Sequence, residues 1–191
     1  MNVVTQISGN IRPGNIALQA LRDMLTHIGI NVTHSTLDES LFYKPDKTTA
    51  WHEYESELAF YESIADSSFH IIYNDGAIDD KIGTQILYAI LKGRPIVMTG
   101  APDFADDISP YMKNLIQQHM PLFHSISLPE LDLIELSNLL RKLEATDYKL
   151  STSQKILIKS QIKSHFRSLL DDARVTHLGE ARSAVRPIGE N

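Results

Sequence analysis

The chain alternates short apolar runs with stretches in which apolar residues recur every three or four positions. Val3 to Ser8 is a β-prone run that ends in a turn with Gly9, Pro13 and Gly14. The next stretch carries apolar residues at steps of three, four and three: Leu18, Leu21, Leu25 and Ile28. That spacing indicates an amphipathic helix, so the chain opens with a strand, a loop and a helix.

Later elements repeat this alternation. Predicted strands are 30–34, 69–73, 95–99 and 122–126, and predicted helices are 51–65, 83–92, 110–119 and 129–143. Strands that are apolar almost throughout are typical of parallel sheets covered by helices. We therefore predict a doubly wound α/β domain, flavodoxin-like or Rossmann-like, with a mainly parallel sheet of about five strands.

The C-terminal part carries one more helical pattern. Ser151-Thr152-Ser153-Gln154 has the form of a capping box, and Ile158, Ile162, Phe166 and Leu169 follow it at helical spacing. We expect a single domain over 1–170, with an additional helix over about 152–170 and a mobile tail over 171–191. The same helix carries a basic stripe, either a solvated face or a docking strip for an acidic partner or phosphate: Lys155, Lys159, Lys163 and Arg167.

Composition and charge limit the classes of partner that the chain is expected to bind. The formal net charge of the 191 residues is −6, which argues against nucleic acid as a partner. The chain has no cysteine, no secretory signal pattern and no apolar run near the roughly 20 residues that cross a bilayer. We expect a cytoplasmic protein that does not contact a membrane. Its histidines lack HxxxH or HxH spacing, so we expect neither a metal nor a cofactor.

Candidate ligand contacts lie in the loops at the carboxyl ends of the predicted strands, where open parallel sheets bind ligands. Three such loops are small and polar: Ser8-Gly9-Asn10, Asn74-Asp75-Gly76 and Gly100-Ala101-Pro102. The first loop has neither the glycine spacing of a dinucleotide fingerprint nor the Gly-Lys-Ser/Thr of a P-loop. Short glycine-containing turns also arise from packing alone, so both interpretations stay open.

The most informative stretch is 79–97, which predicts a polar loop, a short helix and a buried strand. Gly83-Thr84 stands at the helix entrance, where a small ligand can approach backbone N–H groups. The acidic residues before it either hold a ribose hydroxyl or a cation, or serve the helix start.

This stretch resembles the nucleoside 2-deoxyribosyltransferase family. The matching order is Asp79-Asp80, Gly83, Tyr88-Ala89 and Gly93-Arg94-Pro95. The opening strand ending in Ser8-Gly9 and the aromatic helix before the third strand agree with it, so the resemblance covers about two thirds of the chain. It implies a nucleoside or nucleotide ligand, N-glycosidic bond transfer, and a homo-oligomer whose pockets are completed by neighbouring subunits.

The chain departs from this family at its chemistry. The family's nucleophilic glutamate corresponds to Gln85, and an amide has too little nucleophilicity to attack the sugar. No acid stands at Ala59 or Phe60, where the family's second carboxylate falls. Glu57 and Glu62 are the nearest substitutes, and Glu57 is the candidate acid or base, although the acidic residues of this helix also fit a solvated face.

Several functions therefore compete. We expect a nucleoside- or nucleotide-binding protein that has lost its catalytic carboxylate, and whether it is an enzyme stays open. The alternatives are an N-glycosidase or deoxyribosyltransferase with a replacement carboxylate, a relative of lysine-decarboxylase-like phosphoribohydrolases, or a purely structural protein. Besides Gln85 and Glu57, the expected ligand contacts are Ser8, Gly9, Asn10, Asp75, Gly76, Asp79, Gly83 and Thr84.

Overall fold

The computed structural model describes residues 4–9, 16–34, 59–73, 77–99, 103–128 and 131–184. Its strands are β1 (Val4–Gly9), β2 (Asn31–His34), β3 (Phe69–Tyr73), β4 (Ile96–Thr99) and β5 (His124–Ile126). Its helices are α1 (Ile16–His27), α2 (59–66), α3 (Asp80–Leu91), α4 (Pro110–His119), α5 (Leu133–Glu144) and α6 (Thr152–Ala184), and a 3-10 turn spans Met120–Leu122.

The strands form one parallel sheet in the order β2-β1-β3-β4-β5. Every pair is parallel, and β1 pairs with β2 on one side and with β3 on the other. Parallel neighbours need a crossover connection, which explains why helical stretches separate the strands along the chain. The predicted α/β class, a parallel sheet flanked by helices, is confirmed.

Side chains that alternate along the strands build two cores. Ile71 packs with residues of α1 and α5, such as Leu21 and Leu139, on one face of the sheet. Ile72, the next residue, packs with α2, α3, α4 and α6 on the opposite face. Because successive strand residues point to opposite faces, the apolar runs of the central strands serve both cores at once.

Helix α3 packs closely against α4 because Gly83 has no side chain. A Cβ atom built on Gly83 would lie 2.3 Å from Met112 Sδ and 3.2 Å from Ile116 Cδ1. Both distances are too short for ordinary van der Waals contact. Gly83 therefore lets the two helices approach at a point where a larger residue would force the Met112 side chain to shift.

The Gly93-Arg94 pair ends α3 and connects it to α2. Gly93 has φ +68°, and the amides of Gly93 and Arg94 donate to the carbonyls of Ile90 and Ala89. This is the usual glycine-terminated helix end. The Arg94 guanidinium then donates to the carbonyl of Ala65 in the last turn of α2, where a cation interacts favourably with the helix dipole.

Three predicted boundaries differ from the structure. Helix α5 begins at Leu133 rather than 129, because the Asp132 side chain accepts from the amides of Ile134 and Glu135 and so caps it. Strand β5 begins at His124, since the 3-10 turn with Pro121 at its centre occupies the predicted strand start. Helix α3 begins at Asp80 rather than 83, because the Asp79 side chain accepts from the amide of Ile82 and so caps it. The predicted residues 51–58 of the second helix lie outside the described residues.

The final helix is longer than predicted. It continues to Ala184 instead of ending near residue 170. The apolar repeat fades after residue 170, but strong helix formers such as Ala173, Arg174 and Ala181 recur on both sides of Gly179, and no proline occurs between residue 170 and Pro187. Loss of an apolar stripe removes packing partners without breaking the helix. The domain limit at 170 and the mobility of the tail stay predictions.

No helix in the described ranges has the length and apolarity needed to cross a membrane.

We expect Gly83→Ala to destabilise the protein. Overpacking against Met112 costs about 1–3 kcal/mol, and the better helix propensity of alanine returns about 1 kcal/mol. The free energy of unfolding, measured by urea denaturation, should therefore fall by about 1 kcal/mol.

A double-mutant cycle identifies the cause. Met112→Ala should cost less in the Gly83→Ala background than in the native chain, by at least about 0.5 kcal/mol, because the new methyl group fills part of the cavity. Additive effects of the two substitutions would show that Gly83 is needed for another reason. Gly29→Ala is the control for the coupling: alanine is strained at φ +83°, so stability should also fall, but no neighbour lies within 4 Å of a built Cβ and the effect should add to that of Met112→Ala.

Candidate functional site

The candidate site lies where β1 and β3 end side by side. In the parallel register Ser8 is opposite Ile72 and Gly9 is opposite Tyr73, so both predicted ligand residues of β1 lie at the carboxyl edge of the sheet. Helix α3 starts from the same edge. Four predicted site residues lie outside the described residues: Asn10, Glu57, Asp75 and Gly76.

Asp79 and Asp80 organise the start of α3. The Asp79 carboxylate accepts from the amide of Ile82 at 2.8 Å and so caps the helix. The Asp80 carboxylate accepts from the amide of Ser109 at 3.3 Å, which joins the start of α3 to the start of α4. Part of the hydrogen-bonding capacity of both carboxylates is therefore used by the fold, as the structural interpretation of this acidic pair predicted.

Gly83 and Thr84 are used in packing. Thr84 is fully buried, and its hydroxyl donates to the carbonyl of Asp80, one turn earlier, at 2.7 Å. Gly83 faces Met112 on α4. Their described contacts are thus internal to the helix layer, and contact of either residue with a ligand stays a prediction.

Gln85 is the unusual residue of α3. Its side chain is only 5% exposed, and its Oε1 atom has no hydrogen-bond partner among the described residues. A buried amide oxygen without a partner costs about 1–3 kcal/mol, so most proteins avoid one. Gln85 lies one turn before Tyr88, whose ring meets that of Tyr61 on α2 edge to face at 5.1 Å.

A second buried polar group lies at the opposite, amino-terminal edge of the sheet. His119 ends α4 with 6% exposure, and its Nε2 atom has no hydrogen-bond partner in the described ranges. Its ring meets that of Tyr148 edge to face at 6.2 Å. Burial lowers the pKa of His119 and raises the pKa of Tyr148, because each charged form would lose its hydration.

Sequence reasoning missed His119, although a signal was present. Met112, Leu115 and Ile116 form the buried stripe of α4, and His119 continues that stripe at the helical step. A histidine in this register is predicted to be buried. His124, at the start of β5, has its Nε2 atom 2.6 Å from the hydroxyl of Thr146, and burial together with Lys142 lowers its pKa.

Comparisons of the chain with protein-family models, with curated proteins and with solved structures gave no match. Within the described ranges, no three histidine, aspartate or glutamate side chains come together in a way that could hold a metal ion.

We expect acid to destabilise the protein partly through His119. Since the folded-state pKa of His119 lies below the ordinary value of 6.5, the unfolded chain binds the proton first as the pH falls. The contribution of the neutral His119 side chain to the free energy of unfolding is complete above about pH 6.5 and is lost as the pH falls towards the folded pKa. His124, whose pKa is also lowered, should contribute with the same sign. Denaturation curves between neutral pH and pH 5 measure this loss.

His119→Gln should flatten the pH dependence of the free energy of unfolding, because the amide does not titrate. Gln118→Ala, at the exposed position next to His119, is the control and should leave the slope as it is, because it changes no titratable group. An unchanged slope in His119→Gln would show that other groups cause the acid sensitivity.

Gln85→Leu should stabilise the protein. Leucine has a similar volume and removes the buried oxygen without a described partner, so the free energy of unfolding should rise by about 1 kcal/mol. Urea denaturation of the native chain and of the variant tests this. A loss of stability would mean that the amide makes a contact the fold needs.

Proposed function

We propose that this protein binds a nucleoside or nucleotide at the carboxyl edge of the sheet and lacks efficient N-glycosidic bond chemistry. The proposal combines the resemblance of the 79–97 stretch to nucleoside 2-deoxyribosyltransferases with the replacement of the nucleophile by Gln85. A neutral amide donates and accepts hydrogen bonds, so it suits recognition of a base or a sugar hydroxyl. It does not suit attack on an anomeric carbon.

The observation that carries the proposal is the buried Oε1 atom of Gln85 without a described partner. A purely structural helix gains from an apolar residue at such a position, because the cost of desolvating the amide is not recovered. Retention of an amide there is explained if a ligand supplies the missing hydrogen bond. Buried polar groups whose partners come from outside the chain are frequent in binding sites.

The strand order supports a ligand at this edge. The order β2-β1-β3-β4-β5 is that of flavodoxin-like sheets, in which the connections leaving β1 and β3 lie on opposite faces. The crevice between those two strands is where such sheets bind ligands. Ser8 and Gly9 end β1 at this crevice, and α3 with Gln85 follows β3.

We expect the native chain to bind at least one member of a panel of nucleosides and nucleoside 5′-monophosphates, measured by isothermal titration calorimetry. Gln85→Ala should weaken this binding about tenfold or more, as expected when a buried hydrogen bond to the ligand is lost. Gln118→Ala, at an exposed position on α4, is the matched control and should leave the affinity unchanged.

Release of free base, followed by chromatography, separates a binding protein from an enzyme. The native chain should release none, and Gln85→Glu should fold normally because the two side chains have nearly the same shape. Turnover by the native chain that survives Gln85→Ala would place the chemistry elsewhere, with Glu57 as the next residue to replace. Absence of binding across the whole panel would contradict the proposed function.

A further inference from the structure

Strand β5 forms one edge of the sheet. It pairs with β4 alone among the described strands, so its outer backbone groups face away from the sheet. An edge strand with open N–H and C=O groups accepts another strand readily, and soluble proteins protect such edges or use them. Thr99 pairs with Ile126 at the last position of the ladder, which limits the open edge to three residues.

A groove of about 520 Å³ runs along this edge, between β5 and α5. Residues 123–127 form one wall, and Leu131 and Leu139 give the groove an apolar part. The other wall is polar and comes from one side of α5. Its residues are Glu135, Asn138 and Lys142.

These three polar residues form a stripe with an acidic residue at one end and a basic residue at the other. They lie at steps of three and four on α5, so they share one helix face, and all three are exposed. Lys142 comes seven positions after Glu135, which is a rise of about 10 Å along the helix axis. The amide of Asn138 lies near the midpoint between the two charges.

We propose that this groove and the β5 edge bind a second copy of the chain across a twofold axis. In that arrangement β5 runs antiparallel to its copy, and so does α5. Glu135 then meets Lys142 of the second copy, the reciprocal pair forms at the other end, and the two Asn138 side chains meet at the axis. A twofold interface requires a self-complementary surface, and a stripe with opposite charges three positions before and four positions after an amide provides one.

Apolar surface next to the stripe adds a driving force. Ile134 is 71% exposed at the start of α5, four residues before Asn138, so it lies on the same side of the helix as the stripe. Its burial against the second copy would contribute the hydrophobic part of the association. An unrelated extended peptide would also fit the open edge, but only a second copy would pair Glu135 with Lys142 reciprocally.

Charge reversal tests the pairing in the full chain at low ionic strength. We expect the native protein to sediment as a dimer at micromolar concentration. Glu135→Lys or Lys142→Glu alone places like charges opposite each other twice, so each should raise the dissociation constant about tenfold or more. The double variant Glu135→Lys/Lys142→Glu restores both pairs and should dimerise like the native chain.

Two control variants and one measurement on the native protein complete the test. Glu144→Lys and Lys149→Glu reverse exposed charges that do not line the groove, and they should leave the dissociation constant unchanged. Amide hydrogen exchange of β5 in the native protein should slow as the concentration rises. A protein that stays monomeric, a dimer insensitive to both single reversals, or β5 exchange independent of concentration would each overturn the proposal.

Discussion

Burial of α3 on nearly every side is the constraint on which the rest of this structure depends. Eight of its twelve residues are buried, because the helix lies against the sheet, α4 and α6. A helix in that position must be apolar or must satisfy its polar groups internally. Thr84 does so through the carbonyl of Asp80, and Gly83 provides room for Met112. Within α3, Gln85 is the residue with a buried side-chain oxygen that has no described partner, and this oxygen is the atom that a ligand could satisfy.

The architecture was accessible from sequence where packing and local pattern agree. The stripe Leu18, Leu21, Leu25 identified α1, and continuous apolar runs identified β3 and β4, since these strands serve cores on both faces. Boundaries were less accessible, because they depend on single hydrogen bonds such as the Asp132 cap of α5. The length of α6 was underestimated for a related reason. Apolar periodicity reports what a helix packs against, whereas propensity decides how far the helix continues.

The candidate site was only partly accessible from sequence. Gln85 could be singled out from the motif around it, but its burial required the arrangement of α3 between its neighbours. Gly83 was interpreted through backbone access for a ligand, whereas the residue it makes room for, Met112, is distant in sequence. The groove beside β5 could not be found, since an alternating pattern does not reveal which strand lies at the edge of the sheet. His119 was accessible in principle through its register on α4.

Helix α6 has a consequence for the order in which the chain folds during synthesis. Ile158 and Ile162 belong to the same core as residues of α2, α3 and α4, although they are encoded far downstream of the sheet. Residue 162 must therefore have left the ribosome before α6 can pack on α3 and complete the core on this face of the sheet. Until then the core that contains α1 and α5 is the more complete of the two cores. The surface of α3 that α6 covers in the folded protein stays exposed to solvent. Translation pauses late in the message would prolong exposure of that apolar surface to chaperones.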